Sequence, residues 1–144
     1  MSQQFMTWQV WAVLSALFAA LTAIFAKIGM GDINSDYATL IRTCVILLVL
    51  GAILYFTRQY QSLNTISARS LLFLVLSGLA TGASWVCYFR ALKAGNASQV
   101  APIDKLSVVL VVIFSVVFLG EHVTLSHWLG VGLIAAGAIV IALQ

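Results

Sequence analysis

The sequence predicts an all-α polytopic membrane protein with five transmembrane helices, and three observations lead to this fold class. Of the 144 residues, 62% are hydrophobic. Only 8% are charged, with seven Lys or Arg and four Asp or Glu, whereas a soluble domain carries about 25%. Five apolar stretches each reach the length of about 20 residues that a bilayer requires. This composition excludes a soluble globular domain, and the absence of a Lys/Arg cluster excludes a nucleic-acid partner.

The five predicted spans cover residues 8–29, 37–57, 71–92, 97–119 and 124–143. Polar segments separate them at residues 29–36, 58–69, 93–96 and 120–123. Gly95 and Asn96 are residue types that favour a helix C-terminus and the next helix start, respectively. Short connections predict antiparallel neighbours, and no segment is long enough for an extramembrane domain.

The first apolar run lacks a basic flank and exceeds the length of a signal-peptide core, so we expect it to be a true span. Cys44 and Cys87 both fall inside spans and lack metal-site spacing. We expect them to act as small apolar side chains, without a disulfide bond.

The positive charges at the two membrane faces are nearly balanced. Five spans place Arg58 and Arg69 on the face of the N-terminus, and Lys27, Arg90 and Lys93 at the rim of the other face. Because Lys and Arg bias orientation only when they are unevenly distributed, the sequence predicts that insertion in both orientations is tolerated. Counting the deeper Arg42 and Lys105 as well would instead favour an outside N-terminus.

Several charged side chains fall within the predicted spans, where each costs about 2.5–3.5 kcal/mol at a helix centre. The direction of each span places five of them at similar depth on one side: Lys27, Arg42, Arg90, Asp104 and Lys105. This placement predicts a positively charged vestibule with one buried carboxylate. An alternative is that Lys27 and Arg90 are interfacial anchors and that Lys105 snorkels to the membrane surface.

Asp104 is the strongest candidate for a functional group. It follows Pro102, which removes a backbone donor and predicts a kink. Interrupted helices with a nearby ionisable group recur at transport sites. The alternative for Asp104 is a purely structural ion pair.

Three helices each carry a polar stripe whose members lie within about 60° of one another on the helix surface. A single Ser or Thr in a membrane helix usually bonds a carbonyl of its own helix or links it to a neighbouring helix. Three such stripes near the predicted positively charged vestibule favour a cavity lined by polar side chains instead. The stripes contain Trp11, Ser15, Phe18 and Thr22 on the first helix; Ser77, Thr81, Ser84 and Tyr88 on the third; and Asp104, Ser107, Val111 and Ser115 on the fourth.

Small residues predict helix-packing faces at Gly78 and Gly82 in the third span and at Gly132 and Ala136 in the fifth. His122 and His127 have no spacing typical of a metal site, and no catalytic set shares a helix face. We therefore expect no enzymatic activity, metal or cofactor.

The chain resembles the EamA domain of the drug/metabolite transporter superfamily. The resemblance rests on YFRALKAGNASQVAP at residues 88–102, LGE at 119–121, HWLG at 127–130, a glycine-rich last helix, AKIG at 26–29 and LIR at 40–42. It covers nearly the whole chain and implies a single five-helix domain over residues 1–144.

The resemblance implies a transporter. Most such proteins carry two modules of opposite orientation, so one module implies an inverted homodimer, with the fourth and fifth helices at the contact. The last helix, with Gly130, Gly132 and Gly137, is also similar to the dimerising helix of small multidrug resistance transporters. Those relatives use a membrane Glu in the first helix, where this chain has only Lys27, so cation-for-proton exchange is not carried over.

We therefore predict a secondary transporter or exporter of small metabolites or drug-like solutes in the inner membrane, with membrane lipid, the small-molecule substrate and a second copy as its partners. Asp104 would bind substrate or couple transport, while Lys27, Arg42, Arg90 and Lys105 keep it ionised and attract anionic or zwitterionic solutes. Two alternatives are a non-transporting subunit of a membrane complex and half of a lipid-intermediate flippase.

Overall fold

A computed structural model describes the backbone of residues 2–143 and the side chains of residues 8–143. The described residues form helices and no strand: α1 Ser2–Met30, α2 Ser35–Thr57, a 3-10 turn Leu63–Thr65, α3 Ala68–Ala94, α4 Ala97–Asp104, α5 Leu106–Leu119 and α6 Leu125–Ala142. Five segments are long and apolar enough to cross a membrane: Trp8–Met30, Ser35–Thr57, Ala68–Ala94, Ala97–Leu119 and Leu125–Ala142. The predicted all-α fold with five spans is confirmed.

The ends of the helices follow local chemistry. Asn34 starts α2, and its side-chain oxygen accepts hydrogen bonds from the backbone N–H groups of Asp36 at 2.9 Å and Tyr37 at 3.3 Å. These bonds satisfy donors that a helix N-terminus leaves unpaired. Asn96 precedes α4, as its residue type predicts. Gly120 ends α5 with a φ of 67°, a left-handed conformation that glycine adopts without strain.

The fourth span is interrupted, because α4 ends at Asp104 and α5 begins at Leu106. Pro102 lies inside α4 and has no N–H to donate. The backbone N–H of Lys105 donates to the carbonyls of Ala101 at 3.3 Å and Pro102 at 3.1 Å. The interruption therefore lies at Lys105, three residues beyond the proline at which the sequence predicts a kink.

The chain divides into two compact units. One is Phe25–Lys93, which holds the end of α1, all of α2 and nearly all of α3. The other comprises the residues up to Ile24 and those from Ala94 onward. In the latter, α6 packs against both α4 and α5, and its buried side chains include Val112 on α5 and Val131 on α6.

Most large apolar side chains lie on the surface, as expected for helices that are solvated by lipid. Phe56 is 81% exposed and Phe118 is 77% exposed. In the Phe25–Lys93 unit, the buried side chains include Phe89 and Leu92 near the end of α3. The interior of this unit is thus concentrated where α3 meets the turn between α1 and α2, and the candidate site begins at that end.

Candidate functional site

Two lysines bind the end of α3 to the end of α1 and to the turn that follows it. Lys27 Nζ donates to the carbonyl of Leu92 at 2.5 Å. Lys93 Nζ donates to the carbonyl of Gly31 and, at 3.0 Å, to that of Ile33. The last carbonyls of a helix have no intrahelical donor and favour a nearby cation. Both lysines thus have a structural role at this end of the unit.

An ion pair joins α3 to the first turn of α2. Arg90 donates from Nε to Asp36 Oδ1 at 2.9 Å and from Nη2 to Oδ2 at 2.6 Å. Two parallel charge-assisted hydrogen bonds fix both the distance and the relative orientation of the groups. The carboxylate also lies at a helix N-terminus, where negative charge is favoured. This pair holds the two helices together at one end.

An open groove of about 620 Å³ lies between α2 and α3, beside this ion pair. Its volume falls within the range of small-molecule sites. Its polar side chains alternate with small and apolar ones. The lining contains Asp36, Thr39, Leu40 and Thr43 from α2, and Leu74, Ser77, Gly78, Thr81, Gly82, Trp85 and Val86 from α3.

Gly78 and Gly82 place no side chain on the α3 wall of the groove. A Cβ atom added to Gly78 or Gly82 would meet no atom of the described chain within 4 Å. The same is true of Gly132 on α6, and Ala136 is exposed there. Packing of these four residues against a partner helix stays a prediction, while Gly78 and Gly82 contribute open space to the groove.

The threonine hydroxyls in the groove donate their protons within their own helices. Thr39 Oγ1 donates to the carbonyl of Ser35, Thr43 Oγ1 to that of Thr39, and Thr81 Oγ1 to that of Ser77, each at 2.8 Å. A hydroxyl oxygen still has acceptor lone pairs after it donates. The groove therefore offers acceptor oxygens on both walls.

Arg42 lies against the aromatic side chains of α3. Its guanidinium carbon is 4.1 Å from the ring centroid of Phe89 and 5.8 Å from that of Trp85. Both distances are in the range of cation–π attraction. Its Nη1 atom is buried, and among the described residues it has no hydrogen-bond acceptor. Arg42 thus has its positive charge partly compensated and one of its donors unused.

The predicted site residues fall in both units. Within Phe25–Lys93, Ser77 and Thr81 line the groove, while Arg42 and Arg90 contact the lining residues Trp85 and Asp36. Ser84 and Tyr88 lie outside the described lining. The remaining candidates belong to the other unit: Trp11, Ser15, Thr22, Asp104, Lys105 and Ser107.

Asp104 has a sequence-local partner in the structure. Its carboxylate oxygen is 3.6 Å from Nζ of Lys105, the next residue. Trp11 is 72% exposed, and Ser15 and Ser107 are also exposed. A role of Asp104 in coupling or substrate binding stays a prediction.

Sequence reasoning missed Asp36 by placing it in the turn before the second span. The helix begins two residues earlier than predicted, at Ser35, so Asp36 occupies its first turn. A signal for this start is present, because Asn34 is a favoured helix-start residue followed by an acidic one. Thr39, Thr43 and Trp85 were also missed, since each fits an ordinary apolar span.

The described residues contain no cluster of His, Cys, Asp and Glu that could hold a metal ion. Cys44 and Cys87 are free thiols. The polar groups of the groove are a carboxylate, hydroxyls and an indole N–H.

The EamA-like transporter family matches residues 6–143. The chain belongs to this family. It is 63% identical over 136 residues to a Sinorhizobium sp protein named an uncharacterized transporter in the cobO 3′ region, covering 94% of this chain and 96% of that protein. It is 25% identical over 132 residues to an uncharacterized protein of Methanocaldococcus jannaschii, covering 92% and 93%, respectively. No solved structure matches the chain.

Family membership confirms the resemblance read from the sequence. Together with five helices able to span a bilayer, it identifies an integral membrane protein of a transporter family. The family and the name of the Sinorhizobium relative point to a transporter rather than an enzyme.

Proposed function

We propose that this EamA-family protein is a secondary transporter that exports small metabolites or drug-like solutes across a bacterial inner membrane. The observation that carries the proposal is the groove between α2 and α3, in which a carboxylate and four hydroxyl side chains line an otherwise apolar wall although both helices are membrane spans. Polar groups inside a membrane are costly unless they are paired or line a solute path. The bacterial origin of the 63% identical relative supports the location.

The groove combines features that bind a small solute. Thr39, Thr43 and Thr81 supply acceptor oxygens, while Leu40 and Trp85 supply apolar surface. Small-molecule sites commonly join an apolar wall to a few placed polar groups. A solute of moderate polarity therefore suits the groove better than a bare inorganic ion.

The Asp36–Arg90 ion pair joins α2 to α3 at one end of the groove. Separation of the helices at that end requires both of its hydrogen bonds to break. We propose that this rupture widens the groove toward one side of the membrane. The pair would then act as one gate of an alternating-access cycle.

The proposed active form is an inverted homodimer. Many secondary transporters operate through two repeats of opposite orientation, and this chain supplies five spans. The Sinorhizobium relative, 96% of which is covered, also has about the length of one module. Gly132 and Ala136 on α6 are exposed and offer a close-packing face for a second copy.

The distribution of charge supports dual insertion. Arg90, Lys27 and Lys93 bond Asp36 or backbone carbonyls within their own unit, so their positions also serve local structure. Arg58 and Arg69 lie on the opposite rim of the predicted topology. We therefore expect neither rim to dominate orientation.

Transport is tested with purified protein in liposomes, against a solute library, with and without a pH gradient. We expect at least one metabolite or drug-like solute to cross faster than in empty liposomes, and a pH gradient to change its rate if protons are coupled. If no solute crosses under either condition, the non-transporting subunit becomes the better explanation.

Dual insertion is tested by adding two or three Lys to one loop, either 31–34 or 58–69. Each addition should lock one orientation and abolish transport, and co-expression of the two locked forms should restore it. If one locked form alone transports as well as the unmodified protein, the inverted homodimer is wrong.

A further inference from the structure

Arg42 is the most unusual side chain of the Phe25–Lys93 unit. It lies seven residues into α2, or about 10 Å along the helix from its start. Most arginines at such a depth extend their guanidinium groups toward the membrane surface. Here the group lies over Phe89 instead, and its Nη1 atom is buried.

A purely structural role leaves this arrangement incomplete. The aromatic contacts compensate part of the positive charge, since the guanidinium carbon lies over the Phe89 ring. An aromatic ring is only a weak acceptor for an N–H donor. Within the described chain, no atom accepts from Nη1 of Arg42. An intramembrane cation with an unused donor indicates a missing acceptor.

The groove lies next to Arg42 and is a place from which an acceptor can come. Trp85 both lines the groove and lies beside the Arg42 guanidinium. Nη1 is buried, so a ligand reaches it only after neighbouring side chains move, and Trp85 is the lining residue next to the guanidinium. Trp85 thereby acts as a positioning residue between groove and guanidinium.

The charge balance of the unit favours an anionic ligand. The segment Phe25–Lys93 contains six basic residues and two acidic ones, Asp32 and Asp36. Asp36 is already engaged by Arg90 through two hydrogen bonds. A cationic solute in the groove would therefore meet no unpaired carboxylate among its described lining residues, whereas an anion would have Arg42 beside the lining residue Trp85.

We propose that Arg42 is the residue that binds the negatively charged group of the solute, and that this group is an oxyanion, either a carboxylate or a phosphate. Arginine suits both, because its fork of donors matches two oxygens of either group. The inference rests on the proposed transport function, which it deepens by assigning the charge of the substrate.

Binding is measured by Trp85 fluorescence in full-length protein purified in detergent. Trp8, Trp11 and Trp128 are replaced by Phe, so that the remaining indole reports on its neighbour Arg42. Four probes share one ring and differ in charge: benzoate, phenyl phosphate, neutral benzamide and cationic benzylamine. The first two distinguish a carboxylate from a phosphate ligand.

The variants separate charge from hydrogen-bond geometry. Arg42→Gln removes the cation, and Arg42→Lys keeps it but loses the planar fork. Arg69→Gln is the matched control, because it removes one arginine from the exposed start of α3. Thermal unfolding of each variant shows whether the fold is intact, and Arg42→Lys keeps the test decisive if Arg42→Gln does not fold.

We expect at least one anionic probe to bind better than benzamide and benzylamine. Arg42→Gln should weaken its binding roughly tenfold or more, the scale of one lost charge-assisted hydrogen bond. Arg42→Lys should have an intermediate effect, and Arg69→Gln should have none. The proposal is overturned if neither anion binds, if benzylamine binds as tightly as the anions, or if both Arg42 variants bind anions like the parent.

Failure of this inference differs from failure of the proposed function. If liposomes containing the Arg42→Gln variant transport a solute as well as liposomes containing the parent protein, transport stands and the anion site is wrong. If anions bind through Arg42 but no solute crosses the membrane, the anion site stands and the transport function is wrong.

Discussion

The two units each contain a carboxylate next to a basic side chain, but the two pairs differ in what they connect. Asp36 accepts two hydrogen bonds from Arg90, which is 54 residues away on another helix. Asp104 lies 3.6 Å from Lys105, its neighbour in sequence. A pair between helices constrains tertiary structure, whereas a pair between adjacent residues constrains none. Only the first pair therefore defines a site between two spans.

The units also differ in how their helices meet. α6 packs against α4 and α5, and Val131 and Ala138 on α6 are buried. Between α2 and α3, Gly78 and Gly82 leave open space that the groove occupies. This difference supports the proposal that solute binds in the Phe25–Lys93 unit and that the packing of α4, α5 and α6 is mainly structural.

Filling the groove should have the largest effect. Gly82→Leu places a side chain into open space, so it should reduce transport by an order of magnitude or more with little loss of stability. Gly51→Leu is the control, because Gly51 is equally unobstructed on α2 but lies outside the described lining. The measurement is initial transport rate and thermal unfolding in the same preparation. Equal loss from both variants would contradict the assignment of the groove.

Neutralising the two carboxylates compares the units directly. Asp36→Asn leaves Arg90 without its ionised partner and changes the groove wall, so transport should fall strongly. Asp104→Asn removes only a contact to the adjacent Lys105, so its effect should be smaller. The measurement is the transport rate of each variant relative to the parent, at equal amounts of protein. A larger loss of transport in Asp104→Asn than in Asp36→Asn would place the solute site at the fourth span.

Making the fourth span a continuous helix should have a moderate effect on transport. Pro102→Ala restores a backbone donor inside α4, a change that favours continuous helix. We expect equal or higher thermal stability and a smaller loss of transport than Asp36→Asn causes, since the groove belongs to the other unit. A loss as large as that of Gly82→Leu would show that the interruption at Lys105 participates in transport.

Removing the cations at the two ends of α3 should have the smallest effects, and only one of the two changes should lower stability. Lys27→Met removes a donor to the carbonyl of Leu92 near the C-terminus of α3, which should cost about 0.5 kcal/mol in free energy of unfolding. Arg69→Met removes a cation from the first turn, where the helix dipole disfavours it, so stability should not fall. Denaturation of both variants in detergent measures the difference. Equal destabilisation would argue against the capping role of Lys27.

The sequence predicts how deep each charged residue lies along its span, but not which way its side chain faces. Counting residues along each span placed Lys27, Arg42 and Arg90 near one membrane face, and the structure gives them partners at one end of the Phe25–Lys93 unit. The same counting grouped Asp104 with them, and that grouping stays a prediction, because Asp104 belongs to the other unit. Asp36 was missed for a related reason: an error of two residues at a helix start moved it from span to turn.

The sequence by itself determined the fold class, the five spans and the family. Long apolar runs admit only helices in a bilayer, since every backbone donor and acceptor must be satisfied within the segment. Tertiary structure alone decided that Arg90 meets Asp36, that Arg42 lies over Phe89, and that Gly78 and Gly82 border a groove. These contacts depend on the rotation of each helix about its axis. In lipid, hydrophobicity exerts little force on that rotation, so a few polar pairs and close side-chain contacts set it.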